Sequence, residues 1–330
     1  MNNATISPGT QNKARHAMKP RALWSRIMKQ GPVIAKDFSI NKYIYLMAIP
    51  GVLFYIIFHY TPMYGAIIAF KNFRPSQGIM DSPWVGLRHF ESFFNSYYFW
   101  TILKNTILLN FYELLWGFPA PIIMALLLNE VKNSRFKRTI QTVTYLPHFI
   151  STVVICGLIV DFTAKSGLVN NVLALLGGQR ENLLMKPELF RTIYISTDIW
   201  QSVGWGTIVY LAALSGIDPE LYNAATVDGA SRLKQAIHVT LPGIAPTIVI
   251  LLILRIGKMM SVGGEKILLL YSPTIYDTAD VISTFVYRKG LIEANYSYSA
   301  AVGLFNSVIN FALLILANKI SRKVNETSLW

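Results

Sequence analysis

The chain has little charge, one cysteine and no catalytic signature. Only 14% of its 330 residues are charged, against roughly 25% in an ordinary soluble domain. Hydrophobic residues make up 53%, and mean hydropathy is +0.40. That composition excludes intrinsic disorder and leaves too little polar surface to wrap a soluble core. The lone Cys156 excludes an intrachain disulfide and a cysteine-based zinc site. There is no G-x-x-x-x-G-K-[ST] loop, so the chain has no means of cradling ATP by itself. H-E-x-x-H, G-x-S-x-G and G-x-G-x-x-G after a strand are missing too. The five histidines are scattered, without a spacing that would seat a metal. No cofactor, no metal and no catalysis of its own are expected. The glycine pairs Gly177-Gly178 and Gly263-Gly264 read as plain turns.

Long apolar runs are what the chain does have. A bilayer core of about 30 Å asks for roughly 20 apolar residues per helix. Six segments meet this, at about 43–70, 98–129, 139–162, 191–215, 241–258 and 299–317. The expected fold is an all-α membrane protein, with a transmembrane domain over 43–318. It is preceded by a basic tail at 1–42 and followed by a short tail at 319–330. The first 42 residues have no apolar stretch of the kind a signal peptide needs. Within them, Leu23 to Ile34 could lie as an amphipathic piece on a membrane or partner.

Lys and Arg exceed Asp and Glu by 13. On a soluble chain such an excess would suggest nucleic acid. Here its distribution predicts orientation. Residues 1–42, 130–138, 216–240 and 318–330 hold 17 of the 30 basic residues, and the longer segments 71–98, 163–190 and 259–298 hold 9. Basic residues accumulate on the cytoplasmic side, so both termini are expected there. No nucleic-acid partner is implied, and the near-neutral outer loops give no support for a polyanionic cargo.

The most informative stretch is Asp218 to Pro242, in the loop 216–240. Asp218-Pro219-Glu220 supplies a cap, a first-turn proline and an acid at a positive helix end. Gly229 suits the left-handed residue that ends a helix, and Ser231 can cap the next. Two short helices meeting at an elbow are predicted, kept slim by Ala224, Ala225 and Ala230. A short helix held out from the membrane suits a groove on a partner.

Ala224-Ala-x-x-Asp-Gly-Ala230, then eleven residues to Pro242, resembles the EAA loop of binding-protein-dependent ABC importer permeases. The family's leading Glu is Asn223 here, a departure that touches one polar contact to the ATPase. Tyr64-Gly, Phe70-Lys-Asn-Phe73, Trp84-Val-Gly-Leu87, Asn129-Glu-Val131 and Gln141-Thr-x-x-Tyr-Leu-Pro-His-Phe-Ile150 are similar to the LplB/YtcP-type branch of carbohydrate permeases. The resemblance covers roughly residues 40 to 325. It implies a six-helix type I core like those of MetI and MalF, in a bacterial cell membrane. It further implies a second, related permease, two copies of a cytoplasmic ATPase and an extracytoplasmic binding protein that delivers oligosaccharides. Under it, Leu221, Tyr222, Asn223, Ala224, Ala225, Asp228, Gly229 and Ala230 carry the coupling to the ATPase, and transport proceeds by alternating access.

The cargo path is less local. Polar groups inside spans are costly and usually face the protein interior. Candidates are Tyr112 and Glu113, with Asn105 and Asn110, in the second span, Trp200, Gln201 and Trp205, with Asp198, in the fourth, and Asn306 and Asn310 in the sixth. Sugars want hydrogen-bonding amides beside an aromatic platform, which Trp200, Gln201 and Trp205 combine. Each of these residues also fits a plainer role in packing helices together. A non-sugar solute stays open, because the coupling loop reports the ATPase and not the cargo. An ion-coupled carrier would need an internal repeat and broken helices, and neither is evident.

Overall fold

The computed structural model describes residues 40–261, 263–325 and 328–329. The segment Leu23 to Ile34 lies outside these residues. Contacts divide the chain into a first unit ending at Gly65 and a second beginning at Ala66. The first unit contains α1 (Lys42–Tyr55), which runs on through a wide turn, Ile56–Tyr60, to Thr61–Met63.

The second unit is helical, with only two isolated bridges, Lys71–Trp84 and Arg74–Gly78, among the described residues. Its main helices are α2 (Arg88–Phe94), α3 (Phe99–Tyr112), α4 (Pro119–Glu130), α5 (Ser134–Tyr145), α6 (Thr152–Thr163) and α7 (Leu168–Leu175). There follow α8 (Pro187–Leu214), α9 (Pro219–Val227), α10 (Leu241–Ile256), α11 (Gly264–Leu270), α12 (Ile282–Tyr287) and α13 (Tyr296–Asn325). Five helical stretches are long and apolar enough to cross a membrane: Lys42–Phe70, Phe99–Glu130, Thr152–Leu175, Arg232–Ile256 and Tyr296–Lys323. α8 has the length, 28 residues, but Glu188, Arg191 and Asp198 dilute its apolar character.

Prolines explain where these helices widen. Of the four π-turns among the described residues, three lie at Ile56–Tyr60, Glu113–Gly117 and Ala236–Thr240. Each ends two residues before a proline: Pro62, Pro119 and Pro242. A proline has no N–H for the carbonyl four residues back, and its ring clashes with that carbonyl. One wide turn removes the clash without breaking the helix. Thus the Phe118 N–H reaches back to Glu113 O at 3.1 Å. At the first of these turns, the Thr61 hydroxyl and backbone N–H both donate to Ile56 O, the hydroxyl at 2.9 Å.

The apolar run Thr139 to Phe162 holds a break. Pro147 sits in a tight turn, Leu146–Phe149, and Ser151 is extended with its hydroxyl accepting from Val154 N–H. The chain leaves α5 there and restarts as α6.

α8 is the central helix. It crosses α4 and α5 closely because its contact face is small: a Cβ at Gly204 would lie 2.1 Å from Thr144 O. Thr207, fully buried, donates to Val203 O in its own helix and reaches Pro121 O at 3.4 Å. Small residues and hydroxyls are how helices approach when lipid removes any hydrophobic gain from their contact. The side-chain core falls into three clusters. One surrounds Phe190 and Tyr194, a second is the aromatic group of Phe93, Phe99 and Phe285, and a third packs Tyr210 and Ile244 near the elbow.

Candidate functional site

The elbow between α8 and α10 is built from local bonds. Asp218 caps α9 by accepting from Glu220 N–H at 2.9 Å. At the other end Gly229 takes φ +73°. Its N–H bonds Thr226 O at 3.1 Å, and Ala230 N–H bonds Ala225 O at 2.9 Å. That pair is the Schellman closure, which requires a left-handed residue at Gly229. Ser231 then caps Arg232–Gln235 by accepting from Lys234 N–H.

Buried Gln235 locks the two arms. Its amide donates to Thr226 Oγ1 and to Ala230 O, both at 3.1 Å. Tyr222 hydroxyl meets Thr240 Oγ1 at 3.1 Å, joining α9 to the base of α10. Tyr222, Ala225 and Ala230 therefore turn inward, whereas Leu221, Asn223, Ala224 and Asp228 are exposed. Glu220, Asn223, Ala224 and Val227 recur at helical spacing and form one outward face. Val227 is 88% exposed. Arg232 lies 3.7 Å from Glu130, so the elbow stands at the end of α4. Sequence reading singled out residues of both faces, from Leu221 to Ala230, and missed Gln235 and Thr240, whose partners become adjacent only once the elbow folds.

Within the spans, the polar candidates separate. Glu113, in the π-turn of α3–α4, forms an ion pair with Arg255 of α10. Asp198 of α8 pairs with Lys266 of α11 at 3.3 Å, and Lys266 Nζ also sits 5.2 Å from the Tyr194 ring centre. Asp198 and Lys266 lie close enough to Glu113 for their charges to act on it. Four elements therefore meet at a cluster of two acids and two bases. A cavity of about 210 Å³ opens beside it, lined by Asn110, Glu113, Arg255, Lys258 and Ser261 among others. Buried charges of this kind persist in a membrane only when paired.

Tyr112 lies apart, with Trp116, Glu188 and Arg191 around a cavity of about 560 Å³. Of Trp200, Gln201 and Trp205, the two tryptophans have different surroundings. Trp205 stacks on His148 with ring centres 4.5 Å apart, and Trp200 is half exposed. Asn310 spends its amide on Met260 N–H and Ser261 Oγ, each at 2.8 Å. Asn306, one turn earlier, has its Oδ1 buried without a hydrogen-bond partner. Asn105 is a tie: it donates to Asp277 O and Asp280 O and accepts from Arg191.

Comparison with known proteins gives this geometry a context. Residues 106–326 match the family model described as binding-protein-dependent transport system inner membrane component. The chain is 44% identical over 291 residues to the polygalacturonan/rhamnogalacturonan transport system permease protein YteP of Bacillus subtilis (strain 168), covering 88% of this chain and 91% of that one. It is also 44% identical to protein LplB of the same organism, over 88% and 92% of the two chains. Among solved structures, it is similar to a chain of a bacterial ABC transporter involved in import of the acidic polysaccharide alginate. That match has a TM-score of 0.82 and 44% identity, and covers 88% of this chain and 99% of the other. A second such structure, in complex with an alginate pentasaccharide-bound periplasmic protein, gives a TM-score of 0.83, 44% identity and coverage of 89% and 99%.

Proposed function

The chain belongs to the family of binding-protein-dependent transport system inner membrane components, and on that premise we propose that it is the permease subunit of an ATP-driven oligosaccharide importer. The observation that carries the reading is the elbow. α9 is locked at both ends, its polar skeleton is satisfied internally, and one face is left outward. Such a helix transmits a push without deforming. The names of the similar proteins, which handle polygalacturonan, rhamnogalacturonan and alginate, support a saccharide cargo.

In this reading α8 is the fourth of six spans, both termini are cytoplasmic, and the outward face of α9 docks on a separate ATPase. Two copies of that ATPase close on ATP. This chain and a second, related permease each follow with their own elbow. The cavity between the permeases then exchanges its inward opening for an outward one and receives cargo from an extracytoplasmic binding protein. Leu221, Asn223, Ala224 and Asp228 make the contact, Tyr222, Ala225 and Ala230 hold the helix, and Gly229 sets its end. Of the intramembrane candidates, Glu113, Tyr112 and Asn306 remain as pathway residues. Trp205 and Asn310 have a better-supported role in packing, and Trp200 and Gln201 stay candidates.

The test is co-purification from membranes followed by ATPase assay with candidate binding proteins and saccharides. An ATPase subunit and a second permease are expected in the complex, with hydrolysis stimulated by loaded binding protein. Purification of a chain that associates with no ATPase under conditions preserving its fold would end the reading.

A further inference from the structure

A third cavity, of about 570 Å³, lies at the opposite end of the second unit from the elbow. α3 starts beside it at Phe99, and α3 with α4 ends at Glu130 beside the elbow, a helical path of about 45 Å. The volume falls in the ~300–1,000 Å³ range of small-molecule sites. Its wall combines Asn72, Arg88, Tyr97, Tyr98, Lys289 and Asn295. The two segments that build it are tied by Phe73 N–H donating to Ser297 Oγ at 2.9 Å and by an edge contact of Phe73 on Tyr296.

The polar groups of this wall are not consumed internally. Among the described residues, the side chains of Asn72, Arg88 and Asn295 make no hydrogen bond or ion pair. Tyr97 is 90% exposed, stands edge-on to Tyr98, and Tyr98 in turn leans on Phe285. Ser96 Oγ is buried and meets no partner of good hydrogen-bond geometry, with the Tyr298 hydroxyl close by. The charge of the lining is one-sided: Arg88 and Lys289 contribute, and no carboxylate does. His89 is engaged with Lys71 O at 3.1 Å. Lys289 shares its ammonium with Glu293 at 2.7 Å, an exposed pair of the kind that contributes little. Arg288 next to it is taken by Asp280 at 2.5 Å. Burial opposes the charge of Arg288, and the Asp280 carboxylate outweighs it, so its pKa is raised. Behind it, burial foremost pushes the Tyr271 hydroxyl up to about 12.

The backbone here is held at a cost. Arg288–Ile292 is a π-turn with no proline after it, and Ala294 has φ +53°. A left-handed alanine is strained, because its Cβ crowds the following carbonyl oxygen. The turn carries Lys289 and Asn295 to the same wall.

We propose that this cavity is a loading site for a carboxylated saccharide, at the extracytoplasmic mouth of the permease. The inference rests on the oligosaccharide reading and on the orientation given above, and it adds the place where the cargo is first held and the residues that read its carboxylate. A sugar ring offers a flat C–H face to an aromatic ring and hydroxyls to amides. Tyr97 and Tyr98 supply the first, Asn72 and Asn295 the second. The Arg88 fork matches a carboxylate with two donors, and Lys289 adds a second positive charge. With no acid in the lining, a uronate is favoured over a neutral hexose. The near-neutral sum of the outer loops conceals this local excess.

The experiment uses the complete transporter, with trigalacturonate and maltotriose as probes. Their binding to the solubilised complex is measured without binding protein, for the wild type and for the double variant Arg88→Gln, Lys289→Gln. A thermal melt confirms that the variant is folded. Trigalacturonate should bind more tightly than maltotriose to the wild type. In the variant its affinity should fall about tenfold or more, the loss of one charge-assisted contact, with maltotriose unchanged. Docking of unloaded binding protein should also be unchanged. Equal affinity of the wild type for the two probes would overturn the proposal, as would an equal loss of both in the variant. Loss of docking by unloaded binding protein would overturn it too, making the cavity a protein contact. A complex that imports no saccharide with any binding protein would instead remove the oligosaccharide reading on which it stands.

Discussion

The two ends of the second unit present opposite surfaces. At the elbow, Thr226, Gln235, Tyr222 and Thr240 bond one another, and what faces outward is Ala224, Val227 and Asn223. At the far cavity, Arg88, Asn72 and Asn295 stay unbonded, and what faces inward is the aromatic core of Phe93 and Phe285. One end offers shape with its chemistry satisfied, and the other offers chemistry on a rigid floor. The contrast fits the partners proposed for them. A helix that docks in a groove needs a contour that holds under load, whereas a soluble cargo must be told from similar molecules by its polar groups.

Substitutions can break this comparison, and the largest effect belongs to Gly229→Val. A β-branched residue is an outlier in the left-handed region, so the Schellman closure is lost and α9 changes its exit. Stimulated ATP hydrolysis and uptake should fall below detection while saccharide binding at the far cavity persists. Gly229→Ala sharpens the cause. Its Cβ would meet nothing within 4 Å, so only the backbone penalty of about 1 kcal/mol remains. A partial loss of coupling is expected, read as ATP hydrolysed per saccharide imported.

Lys266→Met comes next, because it strands Asp198. The Lys266 side chain is only 6% exposed, and removing one partner of a buried pair costs about 3–5 kcal/mol. A lower melting temperature in detergent is expected, with most of it recovered when Asp198→Asn is added. Unchanged melting in the single variant would show the cluster to be solvated. Gln235→Ala removes two hydrogen bonds at about 1 kcal/mol each. It should loosen coupling several-fold less than Gly229→Val, with little change in melting. Smallest is Asn223→Glu, which restores the family's acid on an exposed position. ATPase affinity should change by no more than about twofold, measured by titrating the ATPase onto the solubilised permease pair.

Legibility in the sequence follows the same divide. The elbow could be read because its signals are contiguous: Asp218-Pro219-Glu220 starts a helix, Gly229 ends it and Ser231 starts another. Long helices were visible as apolar runs. The prolines that blurred the first and fifth runs, Pro62 and Pro242, leave the helices continuous through wide turns, which no hydropathy pattern reveals. Pro147 with Ser151 breaks the third run, where apolar composition gave no warning. The charged cluster was half visible. Glu113 and Asp198 stood out as acids in spans, but Arg255 is 142 positions from Glu113 and becomes its partner only through tertiary packing. The far cavity was hidden for the same reason: Phe73 and Ser297 meet across 224 positions. Asn306 and Asn310 share a helical face as their spacing requires, yet one is bonded to the turn at Met260 and the other has its oxygen without a partner.

The central claim is that the outward face of α9 meets the ATPase. Cys156 is buried, so with Cys156→Ser a single new thiol can be placed at Val227 and treated with a short bifunctional cross-linker in native membranes. The Val227→Cys chain should form a cross-link to an ATPase subunit that is absent from a matched Tyr97→Cys chain. A Val227→Cys chain that links to no ATPase, in membranes where the transporter is active, would contradict the account.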